Sequence, residues 1–191
     1  AYGAPHDNRL GVDGEDLPNV FGSNAFVGWY NGHPDFRDLN PDLGVKSAVI
    51  IGVGNVALDV ARVLAKTNSE MSITDLVDYA ADAAQSSPVT DIHMLGRRGP
   101  VEAAFTNVEL REMGGLENAA PIMNPDHLPG KIVADYMSDR DLRLREKNIE
   151  TMRSFLDVSL EDKNKRVHFG FFLSPIEILG QTSVEGVRCE R

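Results

Sequence analysis

The spacing of hydrophobic positions changes several times along this chain, and each change marks an element. Ala48-Val49-Ile50-Ile51 is a short, mostly β-branched apolar run stopped by Gly52. It predicts a strand buried on both faces, as in a parallel sheet covered by helices. Past Gly54 the spacing becomes helical: Ala57, Ala61 and Ala65 fall four apart with Val56, Val60, Val63 and Leu64 beside them, while Asp59 and Arg62 lie off the stripe. Thr67-Asn68-Ser69 breaks that pattern, and Thr74 is the expected N-cap of a helix over 74–85, with Leu76, Val77, Ala80 and Ala84 inward and Ser86-Ser87-Pro88 as its stop. A second strand is predicted over 90–95 and a third over 167–173.

Other segments are less regular. Ser23 is the expected cap of a short helix carrying Phe26, Trp29 and Tyr30 and ended by Asn31-Gly32. Residues 138–156 are strongly charged, with apolar Leu142, Ile149, Met152, Phe155 and Leu156, and predict an amphipathic surface helix. Its Arg140, Arg143, Arg145 and Lys147 alternate with Asp139, Asp141 and Glu146, the mark of a solvated face. Ile176–Leu179 and 184–189 flank Gly180-Gln181 and suggest a hairpin-like end. Residues 1–22, 34–44 and 116–137 read as loops. Taken with the Gly52-Val53-Gly54-Asn55-Val56-Ala57 turn that joins the first strand to its helix, the sum is an α/β, Rossmann-like dinucleotide-binding domain over 1–191, with a mainly parallel central sheet, flanking helices and a small β-hairpin-like C-terminal part.

The glycines between the first strand and helix carry the chemistry. Strand, Gly52-Val53-Gly54-Asn55-Val56-Ala57, helix is a Gly-x-Gly-x-x-Ala turn in the context that gives such a pattern meaning. Gly52 permits the tight turn, Gly54 lets backbone approach a pyrophosphate, and Ala57 lets the helix sit close on the strand. Free N–H groups and the positive helix end then face the phosphates.

The end of the second strand selects the nucleotide. An NAD site has an acid there for the ribose 2′-hydroxyl, whereas a 2′-phosphate requires arginine. Gly96-Arg97-Arg98-Gly99-Pro100 offers two arginines and no acid, so NADP is favoured over NAD. Thr106-Asn107-Val108-Glu109 has capping-box spacing before a helix that Gly114-Gly115 closes. Glu109 is therefore explained equally by the cap and by a contact to the nucleotide; the simplest reading of Glu112 is a solvated helix carboxylate.

Composition narrows the classes. At 191 residues the chain has room for one substantial core, and its net charge of −10 argues against nucleic-acid binding. No apolar run is long enough for a membrane span. One cysteine excludes an internal disulfide, suits a reducing, cytoplasmic setting, and argues against a thioredoxin-reductase-like enzyme, which needs a redox pair. His6, His33, His93, His127 and His168 show no metal-ligand spacing, so no metal site is expected. The chain begins Ala-Tyr-Gly without Met, as expected of a piece cut from something longer.

These residues together resemble one family. Gly52-Val53-Gly54-Asn55-Val56-Ala57-Leu58-Asp59-Val60-Ala61-Arg62, Gly96-Arg97-Arg98-Gly99-Pro100, Ala104-Phe105-Thr106, Glu109-Leu110-Arg111-Glu112, Phe26-Val27-Gly28-Trp29-Tyr30-Asn31-Gly32 and Leu173-Ser174-Pro175-Ile176-Glu177-Ile178 are similar to motifs of the adrenodoxin-reductase-like ferredoxin–NADP⁺ reductases, including actinobacterial members. The resemblance implies an NADP(H)-binding domain excised from a two-dinucleotide flavoprotein, with FAD held by another domain of the same polypeptide and ferredoxin or a similar iron–sulfur protein as partner. Ala1-Tyr2-Gly3-Ala4 resembles the last FAD-domain strand, making 1–22 the crossover; Tyr2 stands where Thr is usual, and Val53 where a polar residue is common. By the same resemblance, Gly52, Val53, Gly54, Asn55 and Val56 lie along the pyrophosphate, Arg97 and Arg98 hold the 2′-phosphate, and Glu109 touches the nucleotide. Asp59 and Glu112 match acidic positions near nicotinamide and flavin, supporting proton movement or nicotinamide placement. Two other readings stay open: the NADPH domain of a glutamate-synthase-like flavoprotein, and a non-catalytic NADP-sensing module.

Overall fold

The computed structural model describes residues 7–133 and 136–191; the expectation for Ala1-Tyr2-Gly3-Ala4 lies outside them. In chain order the elements are α1 (Ser23–Tyr30), β1 (Ser47–Ile51), α2 (Asn55–Ala65), α3 (Asn68–Met71), α4 (Asp78–Ser86), β2 (Asp91–Gly96), α5 (Asn107–Glu112), β3 (Ala119–Met123), α6 (Asp139–Ser154), β4 (Lys165–Phe171), β5 (Ser174–Gly180) and β6 (Val184–Glu190). Strands β1 to β4 form one parallel sheet in the order β1-β2-β4-β3, and β5 pairs antiparallel with β6.

Burial along the strands follows the pleat. Ile92, Met94, Val167 and Phe169 on one face are almost wholly buried, and α2 packs across β1, β2 and β4. Its alanines make this possible: Ala61 and Ala65 are fully buried, so no long side chain holds the helix off the sheet. The opposite face is more open. Val49 is 42% exposed, so the expectation that β1 is buried on both faces is corrected. The apolar run gave the strand, but composition cannot say how many layers cover it.

Residues 116–137, expected as loop, contain β3. Pro121 sits in this strand because β3 is the sheet edge, where a missing N–H breaks no ladder between two neighbours. Two caps also differ from expectation. The N-cap of α1 is Gly22, and Asp7 supplies the cap oxygens from 17 residues away, accepting from the N–H of Asn24 at 2.6 Å. Gly22 is required there, because a Cβ would lie 2.1 Å from the Asp7 carboxylate. Thr74 does not start α4, which begins at Asp78; its hydroxyl donates to Met71 O at 2.7 Å and closes α3. The full capping box is Thr67 with Glu70, at the supposed break after α2.

The stretch before α1 is an ordered strap. Ile178 N–H donates to Asp13 O at 2.8 Å and Val184 N–H to Pro18 O at 3.0 Å, so it runs beside the β5–β6 hairpin. Gly14, with φ +81°, lies so close to that hairpin that a Cβ would meet Ile178 O at 2.0 Å.

The start of α5 is fixed from two sides. The Asn55 side chain accepts from Thr106 N–H at 2.7 Å, while Asn107 donates to Thr151 Oγ1 of α6 at 2.8 Å and buried Asn148 donates to Phe105 O at 3.0 Å. Further along, Arg62 of α2 ties down α5. Its guanidinium, 11% exposed, meets Glu109 at 2.5 Å, Asp59 at 3.0 Å, and Glu112. Burial opposes its charge, yet Glu112, Glu109 and Asp59 outweigh burial and raise its pKa above the ordinary arginine value.

Arg62→Met would leave three carboxylates facing one another across α2 and α5. The partners are partly solvated, so the expected loss is about 1–2 kcal/mol, read as a lower urea midpoint at unchanged slope. Glu112→Gln, at the most exposed of the three partners, should lower it less.

Candidate nucleotide-binding site

The carboxyl ends of β1 and β2 lie side by side because the strands are parallel and in register, Ile51 beside Leu95. In open parallel sheets this edge is where nucleotides bind. Gly52 N–H donates to Leu95 O at 2.8 Å, and Gly52 has φ +135°, a conformation L side chains rarely adopt. The chain then passes Val53, whose carbonyl accepts from Ala104 N–H at 2.8 Å, and reaches Gly54, the N-cap of α2. No side chain caps α2, leaving its first N–H groups for a ligand. Around Gly54 there is room: a Cβ built there meets nothing closer than Ala104 Cβ at 4.0 Å.

Strand β2 brings the arginines to this turn. Gly96 packs so tightly on Val53 that a Cβ would approach the Val53 methyls to 2.9 Å. Arg97 and Arg98 follow, both exposed, and neither takes part in an ion pair among the described residues. Their segment is held by backbone alone: Leu173 N–H donates to Gly96 O at 3.0 Å and Phe172 N–H to Arg98 O at 3.3 Å. Phe172, at φ +59°, covers Gly99 so closely that a Cβ there would clash with its ring.

The structure thus gathers Gly52, Val53, Gly54, Asn55, Val56, Arg97 and Arg98 at one edge. It places the acids elsewhere. Asp59, Glu109 and Glu112 surround Arg62, and Asp59 is about 7 Å along the α2 axis from Gly54. Thr106 accepts from Glu109 N–H at 3.5 Å, but the Glu109 carboxylate turns to Arg62, so only half of the expected capping box forms. Asp59 also accepts from the Tyr30 hydroxyl at 2.6 Å. Burial first, then that hydrogen bond, pushes the Tyr30 pKa upward and keeps the phenol protonated. Tyr30 and Arg62 were missed as members of this group; the three-residue spacing of Asp59 and Arg62 was the one local signal.

Two cavities frame the question of size. One of about 160 Å³ is lined by Tyr30, Asp59, Arg62 and Thr74 among others. The larger, about 450 Å³, lies by Lys66, Ser87 and Lys165, at the end of α2 and the beginning of β4. That is the amino-terminal side of the sheet, opposite the edge where the glycine and arginine turns meet. Lys165 there donates to Leu64 O at 2.6 Å and serves the last turn of α2.

No family model matches the chain. Comparison with individual proteins is decisive. The chain is 39% identical over 187 residues to the NADPH-ferredoxin reductase FprA of Mycobacterium tuberculosis, covering 98% of this chain and 41% of that protein. It is 39% identical over 191 residues to the mitochondrial NADPH:adrenodoxin oxidoreductase of Arabidopsis thaliana, covering 97% of this chain and 39% of that protein. The solved structure of M. tuberculosis FprA in complex with NADPH superposes with a TM-score of 0.88 over 98% of this chain and 41% of FprA. The chain is therefore homologous, over nearly its whole length, to one part of the NADPH-ferredoxin and NADPH:adrenodoxin reductases, and it spans about two-fifths of their length.

Proposed function

We propose that this chain is the NADPH-binding half of a flavin-dependent ferredoxin–NADP⁺ reductase, a single domain whose residues 1–22 lead in from a flavin domain of the same polypeptide. The carrying observation is the pairing, at one sheet edge, of an uncapped glycine-turn helix with two exposed arginines that have no carboxylate partner among the described residues. The likeness to FprA, a protein solved with NADPH, supports the reading. Ferredoxin or a similar iron–sulfur protein would be the electron partner, FAD the cofactor of the remainder, and the cytoplasm the setting that suits a lone thiol.

The residues present fit the nucleotide. Backbone N–H groups from Val53 to Val56 would face the pyrophosphate, with Gly52 and Gly54 giving the close approach. Arg97 and Arg98 would bind the 2′-phosphate through charge-assisted hydrogen bonds. Glu109 would reach the nucleotide from α5, steadied by Arg62. Asp59 and Glu112 would assist nicotinamide placement through the same ion-pair group, because their carboxylates already hold the Arg62 that orients Glu109. When bound, the nicotinamide supplies a hydride; the protein's part is positioning.

Calorimetric titration should show NADPH binding more tightly than NADH. Arg97→Ala should weaken NADPH by roughly 10- to 100-fold, the worth of a charged hydrogen bond, and leave NADH nearly unchanged. Equal loss for both nucleotides would refute the 2′-phosphate assignment. Gly54→Ala should keep the thermal midpoint, since the new methyl meets only ordinary contact and the φ of −126° suits any residue, yet weaken both nucleotides by obstructing the pyrophosphate.

A further inference from the structure

Strands β2 and β4 pair in parallel with His93 directly beside His168. Both imidazoles leave the same, more open face of the sheet, and so does Asp91, two residues before His93 on β2. The two rings are stacked, with centroids 4.4 Å apart and planes 10° apart. His168 Nε2 lies 2.8 Å from Asp91 Oδ1. One ligand atom from each of the three residues can be chosen so that all lie within 4.8 Å of one another. Parallel register joins two histidines that lie 75 positions apart in the sequence.

The group is separate from the nucleotide site. Asp91 begins β2, whereas the arginines follow its end. Asp91 is partnered within the protein, its second oxygen accepting from Thr90 Oγ1 at 2.8 Å, but His93 is not. None of the hydrogen bonds among the described residues engages either ring nitrogen of His93, and its neighbour His168 spends one nitrogen on Asp91. Arg166, opposite Asp91 across the strands, turns its guanidinium to the carbonyls of Lys163 and Lys165 instead of pairing with it. All three residues are half-buried.

We propose that Asp91, His93 and His168 form a binding site for a divalent transition-metal ion, with zinc as the chemically suited case. Two imidazoles and one carboxylate are a donor set that suits zinc and leaves a coordination position for water. The metal would replace the proton shared by His168 and Asp91, and the ring of His93 would tilt so that its lone pair converges with theirs. Donor–metal distances of about 2.0–2.2 Å require the three atoms to draw together. The product is a clip between β2 and β4 on the side of the sheet away from α2.

The test is calorimetric titration of zinc into the 191-residue chain, with cobalt(II) as a visible-absorption probe of coordination. Expected are one saturable metal ion per chain, d–d bands of low-coordinate cobalt bleached by zinc, and a raised thermal midpoint. His93→Gln, which removes no protein hydrogen bond, should weaken zinc roughly 10-fold or more, and His168→Gln similarly. NADPH affinity should be unchanged by His93→Gln, which separates this site from the nucleotide reading. Absence of saturable binding, or zinc binding that survives His93→Gln at full strength, overturns the proposal; the second result would assign the metal to other surface histidines. Should His168→Gln fail to fold, the His93→Gln result decides alone.

Discussion

The parallel ladder between β1 and β2 is the constraint on which the site depends. Because Ile51 and Leu95 end level, the Gly52 N–H can close on Leu95 O, and the glycine turn and the arginine turn emerge at the same height. An antiparallel pair would send those turns to opposite ends of the sheet. The small residues around this junction follow from it. Gly96 has no room for a Cβ beside Val53, and Gly99 has none beneath Phe172. Each contact in the seam sets a side chain, Val53 or Phe172, against a glycine, so the two backbone bends pack closely.

Around that junction, α2 and α5 are locked at both ends. Asn55 holds the N-terminal turn of α5 through Thr106, and Arg62 holds its body through Glu109 and Glu112. The first contact is neutral and the second ionic, so salt would loosen the body of α5 before its start. Acidic residues in such an arrangement look catalytic in sequence because they are charged and close to the turn. In the structure they are partners of one arginine.

What was legible in the sequence was local. The glycine turn, the arginine pair, α2, β2, β4 and the terminal hairpin are each written within about ten residues, where spacing speaks directly. What was not legible was set by distant neighbours. β3 carries a proline and reads as loop until its place at the sheet edge is known. Asp7 caps α1 across 17 residues, so the Ser23 beside the helix was the obvious but wrong candidate. Arg62 meets partners 47 and 50 residues away on α5, and His93 meets His168 only through register. Relatedness to the reductases added the nucleotide context, but not these contacts.

The Asp7–Gly22 junction has a practical meaning for how this unit can be handled. The aromatic cluster of Phe26, Trp29 and Tyr30 rides on a helix whose first turn is satisfied by a carboxylate lying upstream of the whole strap. A recombinant version shortened to start at the helix itself would therefore shed the acid that caps it, the backbone bonds to the hairpin and the Phe21 ring that packs on Phe26.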